Sequence, residues 1–272
     1  MNPASKPEQE LFSSQRIEDV EVLSFHRHLL HNLTDLNAKT KLFDYLDSVS
    51  RNASIRVLLV MAAPKRLDKD EYMEFYRHYL SSATAADQTL LKRLYNGLNQ
   101  FILKIFHLNP FVIHAGSGDT AFLFMNLSLA CDYRIASEET VFQNPVMELG
   151  MPPKGGAVVF LSHLLGPAKC AELLYSGRDI LMEEALKLGI VNKVVPHKKL
   201  KTAALETAHA FARRSPQALF GIKKLLGYNL RELDNFLEYE NKILEHTLRR
   251  HNHEERFNHA APSDNGGSQP AF

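Results

Sequence analysis

Residues 19–25 (DVEVLSF) alternate polar and apolar positions and predict a strand. Leu42, Phe43, Tyr45, Leu46 and Val49 recur at helical spacing and predict a helix over 41–49 with one apolar face. The run 56–61 (RVLLVM) has the composition of a strand buried on both faces. Residues 68–106 read as helix with a polar break at 81–85. A short apolar strand at 111–114 enters a glycine-rich turn at 116–118, which opens a helix over 120–130 that is apolar nearly all round. Such a helix is buried, and its first amide groups point back into the turn. Further strands are expected at 133–137 and 191–195, and helices at 168–175 and 182–188. Strands alternating with helices imply an α/β fold with parallel pairing.

From Lys201 the pattern is helical, over 201–213, 216–226 and 231–250. Ser215-Pro216 is a helix-start signal, with serine as N-cap and proline at the first position. The expected organisation is a flexible N-terminus (1–15), an α/β core (16–200), a C-terminal helical segment (201–260) and a disordered tail (261–272) rich in Pro, Gly and Ser. The sequence has no internal repeat.

A chain of 272 residues suits one generous α/β domain, or a domain with a helical extension. Lysine and arginine total 32 against 31 acids, so no charge asymmetry points to nucleic acid or an anionic membrane. No apolar run reaches the ~18 residues of a membrane span, and residues 1–10 lack the order of a signal peptide. A cytoplasmic location is the expectation. Cys131 and Cys170 sit in apolar patterns and read as small buried hydrophobes. The histidines at 26, 28 and 31 and at 246, 251, 253 and 259 follow no metal-ligand spacing, and no metal is expected.

Several motifs then fall in one order: Leu129-Ala130-Cys131-Asp132 with Arg134-Ile135-Ala136; Phe142 and Pro145 with Leu149-Gly150; Leu165-Gly166-Pro167-Ala168-Lys169; Ser176-Gly177-Arg178 with Glu184-Ala185-Leu186, Gly189 and Val194-Val195-Pro196. In these the chain resembles the enoyl-CoA hydratase/isomerase (crotonase) superfamily. The resemblance is strongest over 109–250. It implies a crotonase-like spiral of ββα units with a C-terminal helical segment, assembled as a homo-oligomer (trimer or hexamer). It also implies acyl-CoA, a coenzyme A thioester, as substrate or ligand, with no separate cofactor.

That family stabilises an enolate oxyanion with two backbone N–H groups, one of them at the start of a buried helix, where the helix supplies oriented donors and partial positive charge. By the resemblance, the Leu123 N–H is that donor, beside Gly118, with bulky Phe122 and Phe124 in place of the family's glycines. The second donor belongs after the strand at 56–61, but residues 62–70 (AAPKRLDKD) contain no glycine. Pro64–Lys69 is expected to form a polar excursion without converging donors, its Lys65, Arg66 and Lys69 solvated or facing CoA phosphates. The two hydratase glutamates map to Asn126 and Val146, neither of which can exchange protons. Glu148 could replace the second glutamate, because both positions share a face if the stretch is extended. Asp119 is placed to cap the helix.

Other readings stay open. Gly116-Ser117-Gly118-Asp119-Thr120-Ala121 fits a dinucleotide fingerprint, though it sits mid-chain. Ser117 lies in no Gly-x-Ser-x-Gly elbow and reads as a turn residue. His114 ends a buried strand near the presumed pocket. The functional expectation is an acyl-CoA-binding family member without the two-glutamate hydratase machinery. The alternatives are a non-catalytic oligomeric scaffold or partner-binding homologue, and a nucleotide-binding α/β protein.

Overall fold

Strands β1 (Phe12–Ile17) and β2 (Val20–Phe25) form an antiparallel hairpin, Phe12 opposite Phe25 and Ile17 opposite Val20. Short helix α1 (Leu29–Thr34) and helix α2 (Leu36–Arg51) lead to β3 (Val57–Met61). Helices α3 (Lys69–Ser81) and α4 (Ala85–His107) precede β4 (Phe111–Gly116), the two-residue β5 (Thr120–Ala121) and helix α5 (Phe122–Leu129). Then come β6 (Tyr133–Ser137), β7 (Val141–Gln143), one helical turn α6 (Val146–Leu149), and helices α7 (Ala157–Leu165) and α8 (Pro167–Ser176). The chain continues through β8 (Ile180–Leu181), α9 (Met182–Lys187) and β9 (Lys193–Val195). Three further helices follow: α10 (Leu200–Ala212), α11 (Pro216–Gly227) and α12 (Leu233–Ala260). The computed structural model describes residues 12–26, 29–63, 68–81 and 85–260, with side chains for all of these except 31, 32, 34, 78–81, 85–88 and 249–260.

The main sheet runs β1-β2-β3-β4-β6-β9, parallel from β2 onward; a smaller one runs β5-β7-β8. The period of two sorts β3 between two cores. Leu58 and Val60 join the core beneath α2, α4 and α12, while Val57 and Leu59 pack with the Ala203, Ala204 and Ala208 face of α10. Helix α5 is buried on all sides, as its composition predicts: Leu123 and Leu127 enter the first core, and Phe122 and Met125 a third. Helices α10 and α12 cover the protein's own core, and Ser215 caps α11 by accepting from the Ala218 N–H. Helix α11 itself has no buried residue.

Three expectations change. Residues 12–15 are paired in β1 rather than loose; a strand that buries only its ends (FSSQRI) has no alternation to read. Helix α5 starts at Phe122, because Thr120 and Ala121 pair with Phe142 and Gln143 of β7. Helix α7, missing from the periodicity, is a short apolar helix that buries Ala157, Phe160 and Leu161, and period alone does not separate so short an apolar run from a strand. Residues 1–11, Pro64, Lys65, Arg66 and the tail 261–272 lie outside the described residues. Both cysteines are free and buried.

Much of the signature is scaffolding. Arg134 donates to the Cys131 carbonyl, at the C-terminal end of α5, and to the Ile190 carbonyl, both at 2.7 Å. Asp132 accepts from the Val112 N–H at 2.7 Å and from Lys223 Nζ at 2.7 Å. Arg178 grips Glu184 with two parallel bonds at 2.7 and 2.6 Å. Gly118 turns the chain at φ +77°, a conformation that favours glycine.

Candidate active site

The first turn of an α-helix carries N–H groups without intrahelical acceptors. In α5 that turn begins after Ala121, and no side chain caps it. Asp119, expected as the cap, is exposed two residues upstream of the helix boundary. Leu123, the expected oxyanion donor, is thus the second helical residue, and its side chain is buried.

Leu123 lines a cavity of about 20 Å³. That is room for about one water molecule. Tyr72 and Tyr76 of α3 wall one side, their rings 4.8 Å apart; Val146, Met151 and Pro152 wall another. Asn126 also faces the cavity, Nδ2 donating to the Lys154 carbonyl at 2.9 Å while its buried Oδ1 has no hydrogen-bond partner among the described residues. The Tyr72, Tyr76 and Tyr95 hydroxyls lie beside one another, and among the described residues those of Tyr76 and Tyr95 make no well-formed hydrogen bond. Burial disfavours phenolate, and pushes the Tyr76 phenol up to about 12. Among the described residues, no carboxylate lines the cavity.

Of the expected site residues, the structure brings Leu123, Asn126 and Val146 together. Gly118 shapes the turn but does not line the cavity. Glu148 does not share a face with Val146: α6 is helical, and residues two apart on a helix point apart. The side chain of Glu148 is half exposed and pairs with Lys69 Nζ. His114 does not line the cavity, and Phe124 packs, partly buried, against the first core. The Ala62 N–H bonds to the Ala115 carbonyl at 2.9 Å and the Lys69 N–H to Gln143 Oε1 at 2.7 Å. Neither is free to act as a second donor.

Behind the cavity lies a buried polar knot. Lys154 and Glu240 pair at 2.7 Å with side chains 1% and 6% exposed. Glu240 accepts from the Gly155 N–H at 3.1 Å and the Gly156 N–H at 3.0 Å. Lys154 Nζ also contacts Asn99 Oδ1, and Asn99 Nδ2 donates to the Leu237 carbonyl at 3.0 Å. Burial lowers the Lys154 pKa against the attraction of Glu240. The visible sequence signal for Glu240 is a carboxylate set in the apolar stripe Leu233, Leu237, Leu244, Leu248 of α12. For Lys154 it is a cation in Pro152-Pro153-Lys154-Gly155-Gly156. Among the described residues, no cluster of His, Cys, Asp or Glu could hold a metal, and no helix is long and apolar enough to cross a membrane.

The family model for enoyl-CoA hydratase/isomerase matches residues 74–259, and this chain belongs to that family. The fold is similar to an enoyl-CoA hydratase from Bacillus halodurans (TM-score 0.74, 21% identity, 92% of this chain and 99% of that one). It is also similar to one from Bacillus anthracis (TM-score 0.67, 23% identity, 92% and 96%). A carnitinyl-CoA dehydratase from Salmonella typhi is 36% identical over 124 residues, 46% of this chain and 48% of that protein. The match thus spans about half the length of that relative.

Proposed function

We propose that this chain is a non-hydrating member of the enoyl-CoA hydratase/isomerase family that acts as an oligomeric or partner-binding scaffold. The cavity at the start of α5 carries this reading: it is about 20 Å³ in volume and has no carboxylate among the described residues of its lining. Adding water across an enoyl double bond requires a base for the water and an acid for the α-carbon. The carboxamide of Asn126 and the isopropyl group of Val146 supply neither. Carnitinyl-CoA dehydration removes water instead and needs the same proton transfers, so the relative's activity is not carried over. The surface supports a scaffold role, because α11 presents Phe220, Ile222, Leu225 and Leu226 to solvent, with Leu225 77% exposed.

A second reading, acyl-CoA binding without hydration, is favoured by the uncapped amides of α5. A crotonyl-CoA hydration assay and a thermal-shift series with acetyl-CoA, crotonyl-CoA and free CoA test both. Turnover above ~1 s⁻¹ overturns the non-hydrating reading. A Tm increase with acyl-CoA but not with CoA replaces the scaffold with the thioester binder. No response to any of the three is the expected result.

A further inference from the structure

We propose that Lys154 and Asn99 become covalently joined, Lys154 Nζ displacing the carboxamide nitrogen of Asn99 to form an isopeptide bond between α4 and the loop before α7, with Glu240 moving the proton. Three groups required for that reaction meet in one buried place. The amine nitrogen touches the carboxamide at Oδ1, one bond from the carbon it must attack. The carboxylate lies 2.7 Å from the same nitrogen. Asn99, Lys154 and Glu240 are each more than nine-tenths buried, and the ring of Tyr95 lies 5.8 Å from Nζ.

Position does most of the work in such a reaction, since two groups held in contact react as one molecule. The Leu237 carbonyl fixes the Asn99 carboxamide, and the Gly155 and Gly156 amides fix the carboxylate. Glu240 first takes a proton from the ammonium, which burial already disfavours. The Nζ lone pair then forms a bond to Asn99 Cγ, and the electron pair of the Cγ–Nδ2 bond leaves with Nδ2. Glu240 delivers its proton to Nδ2 and takes up the one Nζ sheds. Ammonia departs, Glu240 is left protonated, and nothing is oxidised or reduced. The product replaces a buried ion pair with a neutral amide beside a neutral Glu240 carboxyl. Removing both charges from a low-dielectric interior favours the joined state.

The test is the mass of the full chain, measured denatured, followed by tryptic mapping. The expected mass is one ammonia below that of the sequence. Residues 94–104 and 135–169 should then appear as one branched peptide, because trypsin does not cut after an acylated lysine. Lys154→Arg and Glu240→Gln should each run at their own full mass with no branch. A native chain at full sequence mass overturns the proposal, whether or not the variants fold. So does an ammonia loss confined to unbranched peptides at Asn96-Gly97 or Asn265-Gly266, where the asparagine cyclises on its own backbone. A branch that persists in Glu240→Gln overturns the role of the carboxylate.

Discussion

The two ends of α5 face opposite surroundings. Its N-terminus, where the family's chemistry would lie, meets a cavity of about 20 Å³ walled by tyrosines and backed by the Lys154–Glu240 knot. Its C-terminus borders a groove of about 520 Å³ that α11 lines with Ile222, Lys223 and Leu226. The charges differ too. At the C-terminal end Arg134 and Lys223 sit where a helix favours cations, and each has a nearby acceptor. At the N-terminal end no side chain caps the helix, and Glu240, behind the cavity, is committed to two glycine amides and a lysine. The family's frame thus persists around a helix whose N-terminal end is closed and whose other end is open.

If the knot is what closes the N-terminal end, breaking it has the largest effect. Glu240→Ala strands the Lys154 ammonium in the interior and leaves two glycine amides without acceptors. A loss of about 3–5 kcal/mol in urea unfolding is expected. A loss below about 1 kcal/mol would mean that the tyrosines and prolines alone hold the cavity shut. The matching change at the open end, Lys223→Ala, should destabilise less, by about 1.5–3 kcal/mol. Asp132 keeps its bond from the Val112 N–H, and the pair lies nearer solvent than the knot does.

The same contrast marks how far the sequence could be read. Asp132, Arg134, Arg178 and Glu184 are visible as motifs because each acts near a helix end or turn whose spacing the chain fixes locally. Arg134 has one partner three residues back and Arg178 one six residues on, although Asp132 bonds Val112 and Lys223 across 20 and 91 positions. The site residues are assembled otherwise. Lys154 meets Glu240 across 86 positions and Asn99 across 55, and Tyr72 reaches the cavity from a helix that no motif ties to it. Tertiary pairing also defeated local rules: Asp119 fits a helix cap by type, but the pairing of β5 with β7 moved the helix start beyond it. That Asn126 and Val146 are not carboxylates is legible in the sequence; the tyrosines and the lysine that line the cavity beside them are not.

At the open end the expected effects are on assembly and reactivity rather than stability. Leu225→Glu should leave the unfolding free energy within about 0.5 kcal/mol, since the side chain is 77% exposed. If α11 is a contact between copies, light scattering should show the variant as a smaller species than the parent; an unchanged mass removes α11 from the assembly. Cys131 borders the same groove, yet burial holds its thiol pKa at about 12, far from the thiolate that reacts. A thiol reagent at pH 8 should leave Cys131 and Cys170 unmodified in the native protein and label both in urea. Rapid native labelling of Cys131 would mean that the groove reaches deeper than the structure shows.

The smallest effect belongs at the closed end. The Tyr76 hydroxyl is buried beside the Tyr72 and Tyr95 hydroxyls without a well-formed hydrogen bond among the described residues, so the folded protein recovers little of its desolvation. Tyr76→Phe removes that oxygen and keeps the ring against Tyr72. The variant should therefore unfold at the same urea concentration as the parent or slightly above it, by no more than about 1 kcal/mol. A loss of about 2 kcal/mol would show that the hydroxyl is satisfied in solution, and that the cavity is a hydrated polar site rather than a plugged one. Asn126→Leu separates the two cases further. It removes the second unpartnered oxygen but also the bond to the Lys154 carbonyl, so it should destabilise while Tyr76→Phe does not. Equal losses in both variants would indicate that one shared water joins the two oxygens, and the N-terminal end of α5 would then resemble the open end more closely than its volume suggests.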